Sequence, residues 1–450
     1  MKRKIYDELV KWKKESNGKT ALLIDGARRV GKSYIVEQFA KENYKSYIII
    51  DFSKAPEAVR QLFDNYLDNL DYLYTYLSNY YGVELFKRES LIVFDEVQFC
   101  PRARSGIKFL VADGKYDFIE TGSLISIKKN VENILIPSEE EKIEMNPMDF
   151  EEFLWAMGNN MLMDFIRDCY KNKKPMTDLM HRKAMDYFKE YLIVGGMPQA
   201  VDEYSKNRNF NNVDKIKRNI LNLYREDIHK YADNVYLKVE KIFDDIPNQL
   251  QKHEKKFKLA SLDENARYRE YYGAFYWLQD AGLVNLAYNV TEPNIGLGLS
   301  KDPSSFKCYM MDTGLLLPMA FDENEIVSEE IYKKILFDKL SFNEGMIMEN
   351  VVAQMLKAAH KNLYFFSKTD REDSRETMEI DFLIAKSKIT SKHNITPIEV
   401  KSGKNYTFNS LNKFERKYRN FVTEPIILHT KDLKEEDDVL YLPLYMAPLL

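Results

Sequence analysis

Three groups of residues have the types and spacing of reactive sites. The first is Gly26-Ala27-Arg28-Arg29-Val30-Gly31-Lys32-Ser33, which fits G-x-x-x-x-G-K-[ST]. In such a loop glycines let backbone N–H groups turn toward phosphate oxygens, the lysine reaches the β- and γ-phosphates, and the Ser33 hydroxyl ligates Mg²⁺. The second is Asp95-Glu96, at the carboxyl end of the apolar run Leu91-Ile92-Val93-Phe94. Asp95 would hold Mg²⁺ through water, and Glu96 would polarise the attacking water as general base. The third is Asp381 followed by Glu399-Val400-Lys401. Two acids able to share a divalent cation, with a lysine beside them to orient or deprotonate water, are the parts needed for metal-assisted attack on a phosphodiester.

Each group demands its own scaffold. Ala21 to Ile24 is a short apolar run that reads as a strand delivering the phosphate loop, and a helix starting near Lys32 carries Ile35, Val36 and Phe39 on one side and adds its positive dipole end. Tyr47 to Asp51 reads as a second buried strand, Leu91 to Phe94 as a third, and Tyr116 to Glu120 as a further one. The alternation implies parallel βα units with the ligand at the carboxyl ends of the strands. Thr121-Gly122-Ser123 ends the last of these strands, and Ser123 is placed there to sense the γ-phosphate or position water. The same serine reads equally as a turn or helix cap before Leu124 to Ile127. Arg28, Arg29, Arg102 and Arg104 can face a γ-phosphate or a neighbouring subunit, with an ordinary surface position as the default for each. An amphipathic helix over residues 3–15 precedes all of this.

Farther along, Gly195-Gly196-Met197-Pro198 is a strong breaker and is read as a boundary or lid hinge. Lys206 to Lys258 holds thirteen Lys/Arg against eight Asp/Glu, an excess that fits either phosphate contact or solvated helix faces. Ala266 to Gly282 reads as a helix with Tyr271, Phe275 and Leu278 on its buried side, its aromatics assigned to the core. Strands at 283–288 and 306–311 flank a Pro/Gly-rich tip, which gives a helix, helix, hairpin order like a winged helix. Arg267 and Arg269 would then lie near the start of the recognition helix. After an acidic linker over Asp322 to Glu330, a helix runs through to Leu356. Seventeen residues separate Asp381 from Glu399, enough for strand, hairpin tip and strand, and Glu399 and Lys401 lie two apart on one face. Ordinary cross-strand pairing explains the same pattern, and Ser402-Gly403-Lys404 reads as a phosphate-binding basic loop or a plain turn.

The runs at 26–33, Phe94 to Ala103 (FDEVQFCPRA), Thr121 to Leu124 (TGSL) and Asn146 to Leu154 (NPMDFEEFL) resemble bacterial and archaeal AAA-type ATPases whose C-terminal half was long a domain of unknown function. Tyr191 to Val201 (YLIVGGMPQAV) resembles the opening of that half. The resemblance implies ATP rather than GTP, a nucleotide-binding α/β domain and a winged-helix assignment for the middle. The D…E-x-K set resembles the restriction-endonuclease-like superfamily, and Glu349 matches the extra acid some of its members use. Taken together the fold class is α/β multidomain: a P-loop parallel-sheet ATPase domain over 1–190, a helical and winged-helix domain over 191–320, and a restriction-endonuclease-like domain over 321–450.

Composition sets the outer bounds. At 450 residues and 45% hydrophobic content the chain can bury several cores, and a net charge of −4 advertises no polyanion partner, so any nucleic-acid surface is a local patch. Three widely spaced cysteines with no C-x-x-C argue against a zinc ribbon or a disulfide framework and fit a cytoplasmic protein. Met1-Lys2-Arg3-Lys4 is not followed by an apolar stretch, and no run reaches membrane-spanning length. The expected function is ATP binding and hydrolysis with Mg²⁺, coupled to a DNA-directed C-terminal domain with a second divalent metal at Glu349, Asp381 and Glu399. The alternative is an ATP-switched module docking a partner protein or DNA on an inactive nuclease fold. An oligomer completed by a neighbour's arginine fits either.

Overall fold

The computed structural model describes residues 1–123, 137–252, 255–321, 330–332, 344–369, 376–386, 391–403 and 408–450. Leu124 to Ile127, most of the acidic linker and Lys404 lie outside the described residues. The chain forms two compact units, one of residues 1–146 with 280–282 and the other of 147–279 with 283–450.

In the first unit, α1 (Ile5–Ser16) precedes β1 (Ala21–Asp25), α2 (Lys32–Asn43), β2 (Ser46–Asp51), α3 (Glu57–Asn65), α4 (Leu70–Tyr81), β3 (Ser90–Asp95), α5 (Pro101–Asp113), β4 (Asp117–Gly122) and β5 (Glu140–Glu144). The strands form one sheet in the order β2-β3-β4-β1-β5, and every pairing in it is parallel. Helices cover such a sheet on both faces, which is why β1, β3 and β4 are buried at every residue and show no polar alternation. On one face Phe52, Phe63, Phe94 and Phe118 pack with Ile107 and Leu110 of α5, the first three rings meeting edge to face. Because β4 lies between β1 and β3, the end of β4 sits between the phosphate loop and Asp95.

The second unit opens with helices α6 (Phe150–Ala156), α7 (Leu162–Lys171), α8 (Asp178–Val194), α9 (Pro198–Asn207), α10 (Phe210–Tyr231), α11 (Tyr236–Gln251) and α12 (Tyr268–Asp280). There follow β6 (Val284–Val290), β7 (Lys301–Met310), α13 (Thr313–Ala320), α14 (Glu344–Ala358), β8 (Tyr364–Lys368), β9 (Met378–Ala385), β10 (Ile395–Val400), α15 (Asn409–Tyr418), β11 (Ile426–His429), β12 (Lys434–Glu436) and β13 (Val439–Pro443). The eight strands make one mixed sheet, ordered β12-β13-β11-β10-β9-β8-β6-β7. The β6-β7 hairpin, expected as the wing of a winged helix, instead forms the end of this sheet through β6 pairing in parallel with β8 at Tyr288–Tyr364 and Asn289–Phe365. Strands on both sides of residue 320 therefore share one hydrogen-bonded surface. On α12 the predicted face is buried, with Tyr271, Phe275 and Leu278 in the core, but Tyr272 and Tyr276 are about half exposed and so are not core residues.

The glycine pair after α8 is not a hinge. Gly196 N–H donates to Asp312 Oδ2, Met148 N–H donates to Gly196 O at 2.7 Å, and Tyr191 and Gln354 extend the network to Met148 O and Asp312. A Cβ on Gly195, whose φ is +80°, would lie 2.2 Å from Asp312 Oδ1, and one on Gly196 would lie 2.1 Å from Met148 O. The breaker residues serve close backbone approach inside a packed crossing. Gly195→Ala is accordingly expected to cost about 2–4 kcal/mol, measured by urea unfolding. Wild-type stability in that variant would restore the hinge reading.

At least six of the thirteen basic residues in 206–258 are engaged within the unit. Lys217 is fully buried on Ile193 O at 2.8 Å, and Lys206, Arg208, Arg218, Arg225 and Lys255 pair with Asp202, Glu190, Asp214, Asp244 and Glu349.

Candidate functional site

The phosphate loop is built by a strand, three left-handed residues and a helix. Gly26 (φ +150°), Arg29 (φ +71°) and Gly31 (φ +97°) turn the chain between β1 and α2. A Cβ on Gly26 would lie 2.2 Å from Met145 O, so packing as well as phosphate approach requires glycine there. Lys32 is buried, and its ammonium donates to the carbonyls of Gly26 and Ala27 at 2.9 Å each, which holds it across the loop. Burial lowers its pKa, against the opposing pull of Glu96, Asp25 and Asp95. Arg28 and Arg29 are exposed, while Ala27 and Val30 are buried.

Asp95, at the end of β3, faces this loop. Ser33 Oγ donates to Asp95 Oδ1 at 2.8 Å, which joins the two residues expected to share Mg²⁺. A serine hydroxyl and a buried carboxylate in contact are a suitable hard donor pair for that ion, so the residues present fit it. Glu96 follows in the left-handed region (φ +52°), half-buried, and its carboxylate accepts from Gln98 Nε2.

Two residues missed in the sequence belong to this site. Thr121, fully buried at the end of β4, donates to Asp95 Oδ1 and accepts from Glu96 N–H at 3.3 Å. Within the T-G-S triplet it is thus the Thr121 hydroxyl that joins Ser33 on Asp95, while Ser123 lies two residues on, half-buried. The T-G-S triplet carried the signal, and the strand order selects the first hydroxyl. Arg3, only 6% exposed, donates to Val30 O at 2.8 Å and to Asn146 O at 2.7 Å, bracing the loop from outside it. Nothing in the charged N-terminal run singled it out. Arg104 is neither a surface residue nor aimed at phosphate: it is buried and holds Glu140 through two hydrogen bonds of 2.9 and 3.1 Å. Burial and the neighbouring Glu140 push the Glu120 carboxyl well up in pKa. Arg102 is exposed.

Removing the Thr121 hydroxyl takes a donor from the buried Asp95 carboxyl, about 1–3 kcal/mol. Thr121→Ala should lower ATP turnover about ten- to hundred-fold, more at low Mg²⁺ than at saturation, and Thr121→Ser should recover most of it. Equal loss in both variants would assign Thr121 to packing alone.

In the second unit Asp381 and Glu399 do stand on adjacent antiparallel strands: Ile398 pairs with Phe382, and continuing that register sets Glu399 opposite Asp381. Glu349 comes from α14; Glu349 and Glu399 are buried and Asp381 is half-buried. Lys401 is bonded to Glu399 Oε2. Burial, then the Asp381 charge, raises Glu399 to about 7, and burial with Glu349 raises Asp381 to about 6. Burial works upward on Glu349 too, but Lys307, Lys255 and the Tyr309 hydroxyl outweigh it and bring it down to about 2. Lys307 of β7, unforeseen in the sequence, is fully buried with its ammonium 3.0 Å from Glu379, 3.6 Å from Asp381 and 3.7 Å from Glu349. Among the described residues no group of three or more His, Cys, Asp or Glu has an arrangement able to hold a metal ion. The second metal expected at Glu349, Asp381 and Glu399 is therefore not supported.

Residues 18–154 match the family model described as AAA domain. This part of the chain carries an ATPase-like P-loop domain. Residues 185–325 match Domain of unknown function (DUF8612) and residues 344–446 match Domain of unknown function (DUF4143). No curated protein matches the chain. Among solved structures, the Walker-type ATPase of Pyrococcus abyssi is 14% identical with a TM-score of 0.42, over 71% of this chain and 95% of that one. A Signal Transduction ATPase with Numerous Domains (STAND) protein with a tetratricopeptide repeat sensor from Pyrococcus horikoshii is 13% identical with a TM-score of 0.26, over 79% and 48%. Cdc6p of Pyrobaculum aerophilum is 10% identical with a TM-score of 0.26, over 74% and 93%. Among the described residues no helix is long and apolar enough to cross a membrane.

Proposed function

We propose that the P-loop domain binds ATP and hydrolyses it. The observation that carries this reading is the contact of Ser33 with Asp95 beside a buried Lys32, with Glu96 next in the chain. Backbone N–H groups of residues 26–33 bind the phosphates, and Lys32, released from the Gly26 and Ala27 carbonyls, reaches the β- and γ-phosphates. Glu96 takes a proton from the attacking water, and Thr121 holds both Asp95 and the Glu96 backbone in place. Mg²⁺ held by Ser33 and Asp95 would supply neutralisation of the phosphate charge. Ser123 remains the proposed γ-phosphate sensor. If subunits assemble, Arg28, Arg29 and Arg102 are the exposed arginines near this sequence region that could serve a neighbour's site. A cytoplasmic location, which buried free thiols at Cys100, Cys169 and Cys308 support, completes the proposal.

The test is Mg²⁺-dependent phosphate release from ATP by the full chain beside Lys32→Ala and Glu96→Gln. Undiminished release in both variants overturns the proposal.

Coupling to a DNA-directed nuclease has the adjacent placement of Asp381 and Glu399 in its favour. Plasmid nicking that Asp381→Ala abolishes would establish it. Both Glu349 oxygens and Asp381 Oδ2 accept hydrogen bonds from the protein, and Asp381 Oδ1 faces the Lys307 ammonium, so the residues do not fit a metal, and no metal step is assigned there.

A further inference from the structure

The acidic cluster in the second unit draws side chains from α14, β7, β9 and β10, and its centre is occupied by the chain itself. Lys307 starts on β7, where its register partner Ala287 offers only a methyl group. Its stem crosses the face of the sheet above Phe365 of β8, the ammonium lying 5.1 Å from the ring centroid. It ends among Glu379, Asp381 and Glu349, from β9 and α14. A lysine is rarely buried completely unless paired, and here one cation meets three carboxylates.

The remaining oxygens are accounted for one by one. Glu349 Oε1 accepts from Lys255 at 2.6 Å and Oε2 from the Tyr309 hydroxyl at 2.7 Å. Asp381 Oδ2 accepts from Val400 N–H at 2.8 Å, and Oδ1 lies 3.6 Å from the Lys307 ammonium, an ion pair without a hydrogen bond. Glu399 Oε2 is bonded to Lys401, and Glu399 Oε1 is buried with no hydrogen-bond partner. A divalent cation needs several oxygens free to turn inward at 2.0–2.6 Å, on the order of six ligands in all. Of the three acids expected to bind one, Glu399 keeps one oxygen without a hydrogen-bond partner, and Asp381 Oδ1 faces the Lys307 ammonium at 3.6 Å.

We infer that Lys307 is the resident cation of this site: its ammonium stands where a divalent ion would have to bind between Glu349, Glu379 and Asp381, so the cluster carries its own counter-ion and is metal-independent. An ammonium on a covalent stem cannot exchange, and it carries a single charge where a metal would carry two. The D…E-x-K pattern therefore marks a charge cluster that ties helix α14 to strands β7 and β9, and the lysine that decides its character lies 74 residues before Asp381.

The experiment is a Mn²⁺ titration of the full chain without nucleotide, followed by electron paramagnetic resonance of the free ion, together with thermal unfolding with and without Mn²⁺. Wild type and Asp381→Asn should give superimposable binding curves, and Mn²⁺ should leave both melting temperatures unchanged relative to each other. Lys307→Ala should gain one Mn²⁺ per chain and a raised melting temperature in Mn²⁺, both lost in the double variant with Asp381→Asn. A wild-type Mn²⁺ site that Asp381→Asn or Glu399→Gln removes overturns the inference. So does a folded Lys307→Ala chain that gains no Asp381-dependent site. If Lys307→Ala does not fold, the wild-type comparison with Asp381→Asn and Glu399→Gln decides alone. The failure of this inference is distinguishable from failure of the ATPase reading, because no nucleotide is present.

Discussion

Glu96→Gln should lower ATP turnover by about 10²- to 10⁴-fold, the span over which a positioned general base contributes, while leaving ATP affinity within about threefold of wild type. The amide keeps the size of the side chain and can still meet Gln98, but it cannot accept the proton of the attacking water. Position is protected independently of the carboxylate: Glu96 N–H is held by Thr121 Oγ1, and the left-handed φ of +52° belongs to the backbone. Lys32→Ala should behave differently, losing affinity and turnover together, because the ammonium touches phosphate in the bound complex and during transfer alike. Equilibrium binding of a fluorescent ATP analogue alongside steady-state phosphate release separates the two. If Glu96→Gln turns over at the wild-type rate, Glu96 is not the base and the carboxylate next to it, Asp95, inherits the question.

The sequence was most legible where one local stretch fixes both the residues and their geometry. The phosphate loop and the strand ending in Asp95 are of this kind, since an apolar run, a turn and a helix start place Lys32, Ser33 and Asp95 without help from distant chain. Thr121 was harder: three polar or flexible residues end β4, and choosing among them needed the strand order, in which β4 separates β1 from β3. Gly195 and Gly196 misled because breaker residues mark any backbone position that excludes a Cβ, and a packed crossing under Asp312 meets that condition as well as a hinge does. The hairpin at 284–310 lies where the pattern places it, but hairpin patterning says nothing of which strand β6 pairs with on its other edge. Lys307 was invisible for a related reason. A lysine in an apolar strand reads as an outward-facing residue, and only the sheet order carries its stem to Glu379 and Asp381.

Lys307→Met should be the most destabilising single change in the second unit at pH 8, by about 3–5 kcal/mol, because it removes one partner from a buried ionic cluster and keeps nearly all of the stem's packing. The pH dependence gives this loss its diagnostic form. Lys307 has its pKa raised by Glu349, Asp381 and Glu379 acting against burial, so its contribution is fully present below the unfolded lysine value and is intact across pH 5–8 in the wild type. Asp381 at about 6 and Glu399 at about 7 already sit above the ordinary carboxylate range. Their ionisation opposes folding, so stability falls as pH rises from about 4 to about 7. Without the Lys307 ammonium the same carboxyls, and Glu349 with them, should titrate higher still. The folded variant then binds more protons than the unfolded chain over a wider range, and its deficit should shrink as pH falls from 8 toward 5. Urea unfolding of the second unit at both pH values measures this directly. Loss of packing alone predicts the same deficit at each pH, and a constant difference between Lys307→Met and wild type would remove Lys307 from the role of counter-ion.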